Sequence, residues 1–184
     1  MTAEQQTIRV NIEAGIRWKP AGEWPINEFP RWMWRNAVIL RALNTLESSA
    51  ERESDIADPH QRQIERLEAK IDMAVSMLAQ LLDTQGSWPH MQSCQLFAKG
   101  LVTNTGLKLD EGAHGIIELF LDHRLPQPLV LPAVVTSCHS HEGNHFRIHF
   151  DWFGLDEHAT EWLERTVFRL HRREIQMQRQ GKPG

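Results

Sequence analysis

The sequence has few of the residues that cross-link a small domain or bind structural zinc. Its 184 residues contain only two cysteines, Cys94 and Cys138, and no tyrosine. Two widely separated cysteines cannot supply a disulfide framework or a CxxC zinc site. We therefore predict two reduced, partly buried thiols and no metal centre.

Long apolar runs are also absent. No stretch approaches the ~20 apolar residues that a membrane-spanning helix needs. Residues 1–10 lack the apolar core of a signal peptide. These two features predict a cytoplasmic protein without membrane insertion.

Neither sign of charge dominates any long stretch. The formal net charge is −4, with 20 Lys and Arg against 24 Asp and Glu, and the two signs are interspersed. A nucleic acid polymer requires a cationic surface, so we expect no such partner. A nucleophile elbow, a phosphate-binding glycine loop and an HExxH motif are also missing. We therefore predict neither an enzyme nor a bound cofactor.

The patterns that are present divide the chain into three regions. In residues 1–30, the alternation of Ile8, Val10 and Ile12 with polar residues predicts a strand, and a Pro and Gly cluster then predicts a loop. Four of the seven tryptophans precede residue 35. Because large apolar rings favour burial, we expect this segment to pack on the body of the domain.

Residues 31–84 have a helical period and predict a long inserted helical pair. The first helix has apolar positions separated by four and three residues, namely Ile39, Leu43, Leu46 and Ala50. Asp58 and Pro59 then predict the start of a second helix, because Asp caps free N–H groups and Pro is tolerated at the first helical position. This second helix is expected to end near Asp83.

The second helix carries the most regular pattern in the chain. Its apolar residues are spaced by three, four, three, four and three positions, and we call them the heptad stripe: Ile64, Leu67, Ile71, Ala74, Leu78 and Leu81. Such spacing keeps a stripe on one side only when helices supercoil. Apolar side chains at flanking positions widen the stripe beyond a two-stranded seam. We therefore predict a coiled-coil oligomer, with a homotetramer favoured over a dimer.

Other arrangements of the heptad stripe remain open. The stripe could pack on the first helix or on the chain's own barrel, although a helix of ~25 residues is about 37 Å long and exceeds what a small domain readily covers. Trimers and tetramers, in parallel or antiparallel order, are compatible with the spacing. The first helix shares the heptad phase, so the sequence does not decide whether it joins the bundle.

Residues 85–184 alternate short apolar segments with Gly, Pro and Asn, which predicts a small antiparallel β-barrel. The predicted strands are Ser93–Lys99, Gly106–Asp110, Ile116–Leu121, Leu129–His141 and His145–Trp152. A C-terminal helix follows from Asp156 to about Gln178, with Trp162, Val167, Leu170 and Ile175 on its inner face. The predicted fold class is α+β.

Three features of this last region occur in a recognisable order. They are the segment Val102–Leu109, the Pro-bounded strand pair Gly115–Val135, and Phe146–Phe150 leading into the C-terminal helix. This set resembles the PilZ domain, a bacterial receptor module for cyclic di-GMP. The resemblance covers roughly Gly86–Gln178 and implies the small barrel with its C-terminal helix.

The resemblance also implies two ligand motifs, an RxxxR stretch before the barrel and a [D/N]xSxxG stretch on a strand. Arginine pairs clamp phosphates and stack on bases. Here Arg31 and Arg35 form an RxxxR string, and Leu101, Thr103 and Gly106 occupy the second motif. The family has Asp or Asn where this chain has Leu101, and leucine cannot accept a hydrogen bond from guanine. This departure from the motif predicts weak or no cyclic di-GMP binding. Two arginines four apart on a helix also fit a purely structural role.

A histidine-rich segment near the end of the barrel region is a candidate metal site. His139, His141, His145 and His149 flank a Gly-Asn turn, where imidazoles could converge. The alternation places them opposite the apolar core, which is typical of a solvated sheet face. We therefore predict no metal site there.

The predicted function is a noncatalytic PilZ-type adaptor that self-assembles through the heptad stripe. By resemblance, such proteins act through protein partners in signalling that governs motility, pili or virulence. One alternative is a genuine cyclic di-GMP receptor that uses noncanonical arginines. Another is a structural coiled-coil assembly protein without a signalling role.

Overall fold

The computed structural model describes residues 8–50, 64, 67, 71, 89–122, 127–141, 143 and 145–180. Within these residues, six strands and two long helices follow one another along the chain. The strands are β1 (Arg9–Pro20), β2 (Met91–Phe97), β3 (Gly100–Thr105), β4 (His114–Phe120), β5 (Leu129–Ser140) and β6 (Phe146–Trp152). The helices are α1 (Phe29–Ala50), preceded by a 3-10 turn at Ile26–Glu28, and α2 (Glu157–Gln180).

The six strands form a closed barrel in the order β1-β2-β3-β6-β5-β4, and every pairing is antiparallel. Strand β1 closes the barrel because its first half pairs with β2 and its second half pairs with β4. The exchange occurs at Gly15, which faces both Met91 and Phe120. A Cβ at Gly15 would lie 2.9 Å from the side chain of Pro89, so a larger residue would disturb this closure.

One predicted strand is wrong and another was missed. Residues 106–110, predicted as a strand, form a loop, and β3 lies immediately before them at Gly100–Thr105. The short apolar segment between Gly106 and Asp110 predicts a strand, but Leu107 is largely exposed. The pairing partner decides the matter, because β6 extends along Gly100–Thr105 and not along the next five residues.

Apolar side chains from the barrel interior and from both helices form one continuous core. From the helices, Leu40 and Leu163 are completely buried in it. The buried strand residues include Val10, Leu96, Leu101, Ile117, Leu119, Leu131, Ile148 and Phe150. Two of the N-terminal tryptophans make ring contacts with this body, since Trp18 contacts Phe150 and Trp24 stacks on Phe153, whereas Trp34 is exposed.

A side-chain amide on α1 replaces a missing strand partner on β5. The Asn36 amide nitrogen donates to the Val130 carbonyl, and the Val130 N–H donates to Asn36 Oδ1, both at 2.8 Å. Strand β6 pairs with β5 only from Ala133 onward, which leaves this edge of Val130 open. Asn36 satisfies both backbone groups and thereby docks α1 on the barrel.

Helix α2 begins with a side-chain cap and packs along the barrel. Asp156 Oδ1 accepts a hydrogen bond of 2.6 Å from the Ala159 N–H, which satisfies one free donor of the first turn. Of the predicted inner face, Val167 is buried, and Trp162 and Leu170 pack against the core. Among the described residues, no helix combines the length and the apolar character needed to span a membrane.

Candidate functional site

The two arginines of the RxxxR string lie on the first turns of α1. Arg31 is exposed, whereas Arg35 is half-buried and its Nε is enclosed without a hydrogen-bond partner. The helix begins at Phe29, and Arg35 directly precedes Asn36. Helix α1 packs on β5 and α2, so both arginines belong to that side of the barrel.

The strand residues of the second motif face the barrel interior. Leu101 is completely buried, and Thr103 is 4% exposed. The register sets Thr103 beside Cys94 on one side and Ile148 on the other, and both are buried. The Thr103 hydroxyl has no hydrogen-bond partner. In this conformation its side chain is closed off from any ligand on the outer surface.

Gly106 lies outside this enclosed row. It follows β3 in an exposed loop, where a Cβ would meet no atom within 4 Å. The preceding Thr105 hydroxyl accepts a hydrogen bond of 3.2 Å from the Leu107 N–H, which forms a local turn. Strand β6 separates this strand from β5, on which α1 packs.

Both cysteines are free thiols. Burial, with a smaller contribution from the nearby Glu13 carboxylate, raises the pKa of the Cys94 thiol from 9.0 to about 12. Cys138 is half-buried on β5, and the strands β3 and β6 lie between it and Cys94. A thiol that stays protonated in a closed interior is a packing group and not a nucleophile.

The histidine-rich segment lies on the β5–β6 hairpin. His139 pairs with Arg147, and His149 pairs with Ser137. His149 Nε2 lies 3.6 Å from Asp151 Oδ1, and its ring meets Phe97 edge-on. Among the residues that the structure describes, no three His, Cys, Asp or Glu side chains are grouped as a metal site requires.

A network of hydrogen-bonded polar side chains extends across the outside of the barrel to α2, and the sequence did not reveal it. Arg147 donates to Gln95, Gln95 donates to Asn11, and Asn11 donates to Glu174, at 3.4, 3.1 and 3.1 Å. This hydrogen-bond network connects β6, β2, β1 and α2. No local pattern signals it, because Asn11 and Glu174 are 163 positions apart.

Three members of the heptad stripe are described, and all three are exposed in the single chain. Ile64, Leu67 and Ile71 have helical backbone and are 56%, 54% and 61% exposed. Ala74, Leu78 and Leu81 lie outside the described residues. The described part of the stripe therefore presents apolar side chains that the chain's own barrel does not cover.

The first helix shares the heptad phase, but its described apolar residues at these positions pack in the barrel core. Ile39 and Leu43 on α1 are 8% and 6% exposed and belong to the barrel core. The side chains of Leu46 and Ala50 lie outside the described residues. Because Ile39 and Leu43 are already covered by the barrel, they are not available to a helical bundle.

A groove lies between α1 and the start of α2, and sequence reasoning missed it. Its volume is about 400 Å³. Met33, Trp34 and Val38 line it from α1, and Ala159 and Trp162 line it from α2. Met33 and Ala159 are buried and form the floor, whereas Trp34 is 71% exposed. The only sequence signal was the local concentration of tryptophan.

The comparison with protein families decides what the barrel is. A family model described as "Atypical PilZ domain, cyclic di-GMP receptor" matches residues 40–180. The chain belongs to the atypical PilZ family. The resemblance drawn from the three sequence features is confirmed, and the match extends upstream from the barrel to residue 40, within α1. No curated protein sequence matches the chain.

A solved structure shares the PilZ fold. It is a pathogenic protein from Xanthomonas campestris, described as a tetrameric PilZ domain self-assembled via an unusual helical bundle. It is 20% identical, with a TM-score of 0.74, and the alignment covers 93% of this chain and 91% of that protein. The predicted PilZ-like antiparallel barrel with a C-terminal helix is thus confirmed. The inserted helical pair and its coiled coil stay a prediction.

Proposed function

We propose that this PilZ protein is a noncatalytic, cytoplasmic signalling adaptor that assembles as a homotetramer through the heptad stripe and acts on protein partners. Motility, pilus or virulence regulation is the proposed context. In this proposal, residues 31–84 carry the assembly helix, residues 85–184 carry the barrel and α2, and residues 1–30 complete the barrel. Ile39, Leu40 and Leu43 of α1 also contribute to the barrel core.

The exposed heptad stripe is the observation that carries the assembly proposal. Fully burying an aliphatic side chain contributes roughly 1.5–3 kcal/mol. Ile64, Leu67 and Ile71 are each more than half exposed, so covering all three stabilises an assembly by a few kcal/mol per chain. The helical bundle of the Xanthomonas campestris tetramer supports the same mode of association.

The assembly is tested by replacing Ile71 and Leu78 together with Asp. Unpaired carboxylates would then face one another across the seam, which is strongly unfavourable. Light scattering should change from a tetramer of four 21.3 kDa chains to a smaller species. Leu107→Asp is the matched control, because Leu107 is equally exposed but lies on a barrel loop. An unchanged mass for the double variant would contradict the proposal.

Weak or absent cyclic di-GMP binding is the second part of the proposal. The inward direction of Leu101 and Thr103 supports it, because neither side chain offers a polar group to the outer surface. Titration calorimetry with cyclic di-GMP is the direct test. We expect no heat of binding at micromolar ligand, and a low-micromolar dissociation constant would overturn this part.

The competing candidate is a cyclic di-GMP receptor with a noncanonical arginine site. The exposure of Arg31, together with the receptor description of the family, favours it. If calorimetry detects binding, the single variants Arg31→Ala and Arg35→Ala test whether these arginines form the binding site. Loss of affinity in both variants would support the receptor, whereas Arg172→Ala, at an exposed arginine of α2, should leave the affinity unchanged.

A further inference from the structure

We draw no further inference here: the strongest candidate, the groove that Trp34 and Val38 of α1 form with Trp162 of α2, carries none, because nothing in the described part of the chain shows what occupies it.

Discussion

Two buried polar side chains, Asn36 and Thr103, differ in what they contribute. The Asn36 amide makes two hydrogen bonds to the backbone of Val130, so it stabilises the contact between α1 and β5. The Thr103 hydroxyl has no partner, so its burial has a cost and no compensating bond. Residue type alone did not separate these roles, because both residues can bind ligands or the backbone.

Asn36→Leu should destabilise the fold. The substitution leaves the Val130 N–H and carbonyl buried without partners, and each such group costs about 1–3 kcal/mol. We expect a decrease of about 2–4 kcal/mol in the free energy of unfolding, measured in urea. Asn104→Leu, at an exposed position of β3, is the matched control and should change it little. Equal stability of both variants would show that the Asn36 bonds contribute nothing.

Cys94 should make the stability fall at alkaline pH. Its folded pKa is raised from 9.0 to about 12, mainly by burial, so the unfolded state releases the proton first. The stabilising effect is complete below pH 9 and is lost as the pH rises from 9 toward 12. A single proton changes the unfolding free energy by about 1.4 kcal/mol per pH unit. Over this range, wild type should lose stability more steeply than Cys94→Ala.

At the scale of elements, each helix has one face in the barrel core and another in solvent. On α2, Leu163 is completely buried, whereas Phe168 is 50% exposed. On α1, Ile39 and Leu43 are buried, whereas Trp34 and Val38 are exposed. The existence of the strands was easier to predict than their ends. The position of β3, for example, depends on the residues with which β6 pairs.

Leu163→Ala should therefore destabilise the domain far more than Phe168→Ala. Truncating a fully buried leucine costs about 2–5 kcal/mol, whereas an exposed position usually changes stability by less than about 0.5 kcal/mol. Urea titrations of the two variants give the comparison directly. Similar losses in both would mean that α2 does not pack on the barrel through Leu163.

At the scale of the whole molecule, the barrel is closed and the heptad stripe is not covered by it. The six strands form a closed barrel, and Asn36 binds the open edge at Val130, so association does not require a strand edge. The described stripe residues remain exposed. Association through helices is therefore compatible with an unchanged barrel.

An assembly held together by the heptad stripe should melt at a temperature that depends on protein concentration. Association stabilises the folded chain by mass action. We expect the melting temperature of the wild type to rise over a hundredfold increase in concentration. The double variant with Ile71→Asp and Leu78→Asp should show no such rise. A wild-type melting temperature that is independent of concentration would argue against assembly coupled to folding.

The PilZ resemblance was visible in the sequence because its signals are local and ordered. Strand-forming runs separated by Gly and Pro, followed by an amphipathic helix, predicted the barrel and α2. The orientation of the candidate ligand residues was harder to predict, because Leu101 and Thr103 were assigned by their place in a motif. Their direction depends on the register between β3 and its two neighbours.

The sequence by itself determined the composition of the barrel, the helical period of residues 31–84 and the spacing of the heptad stripe, because periodicity is a property of neighbouring residues. Only the tertiary structure decided that Ile39 and Leu43 cover the barrel and that Asn36 meets Val130, 94 positions away. It also decided that α1 and α2 enclose a groove beside Trp34. These contacts join segments that are distant along the chain, and their geometry follows from barrel closure and the docking of the helices.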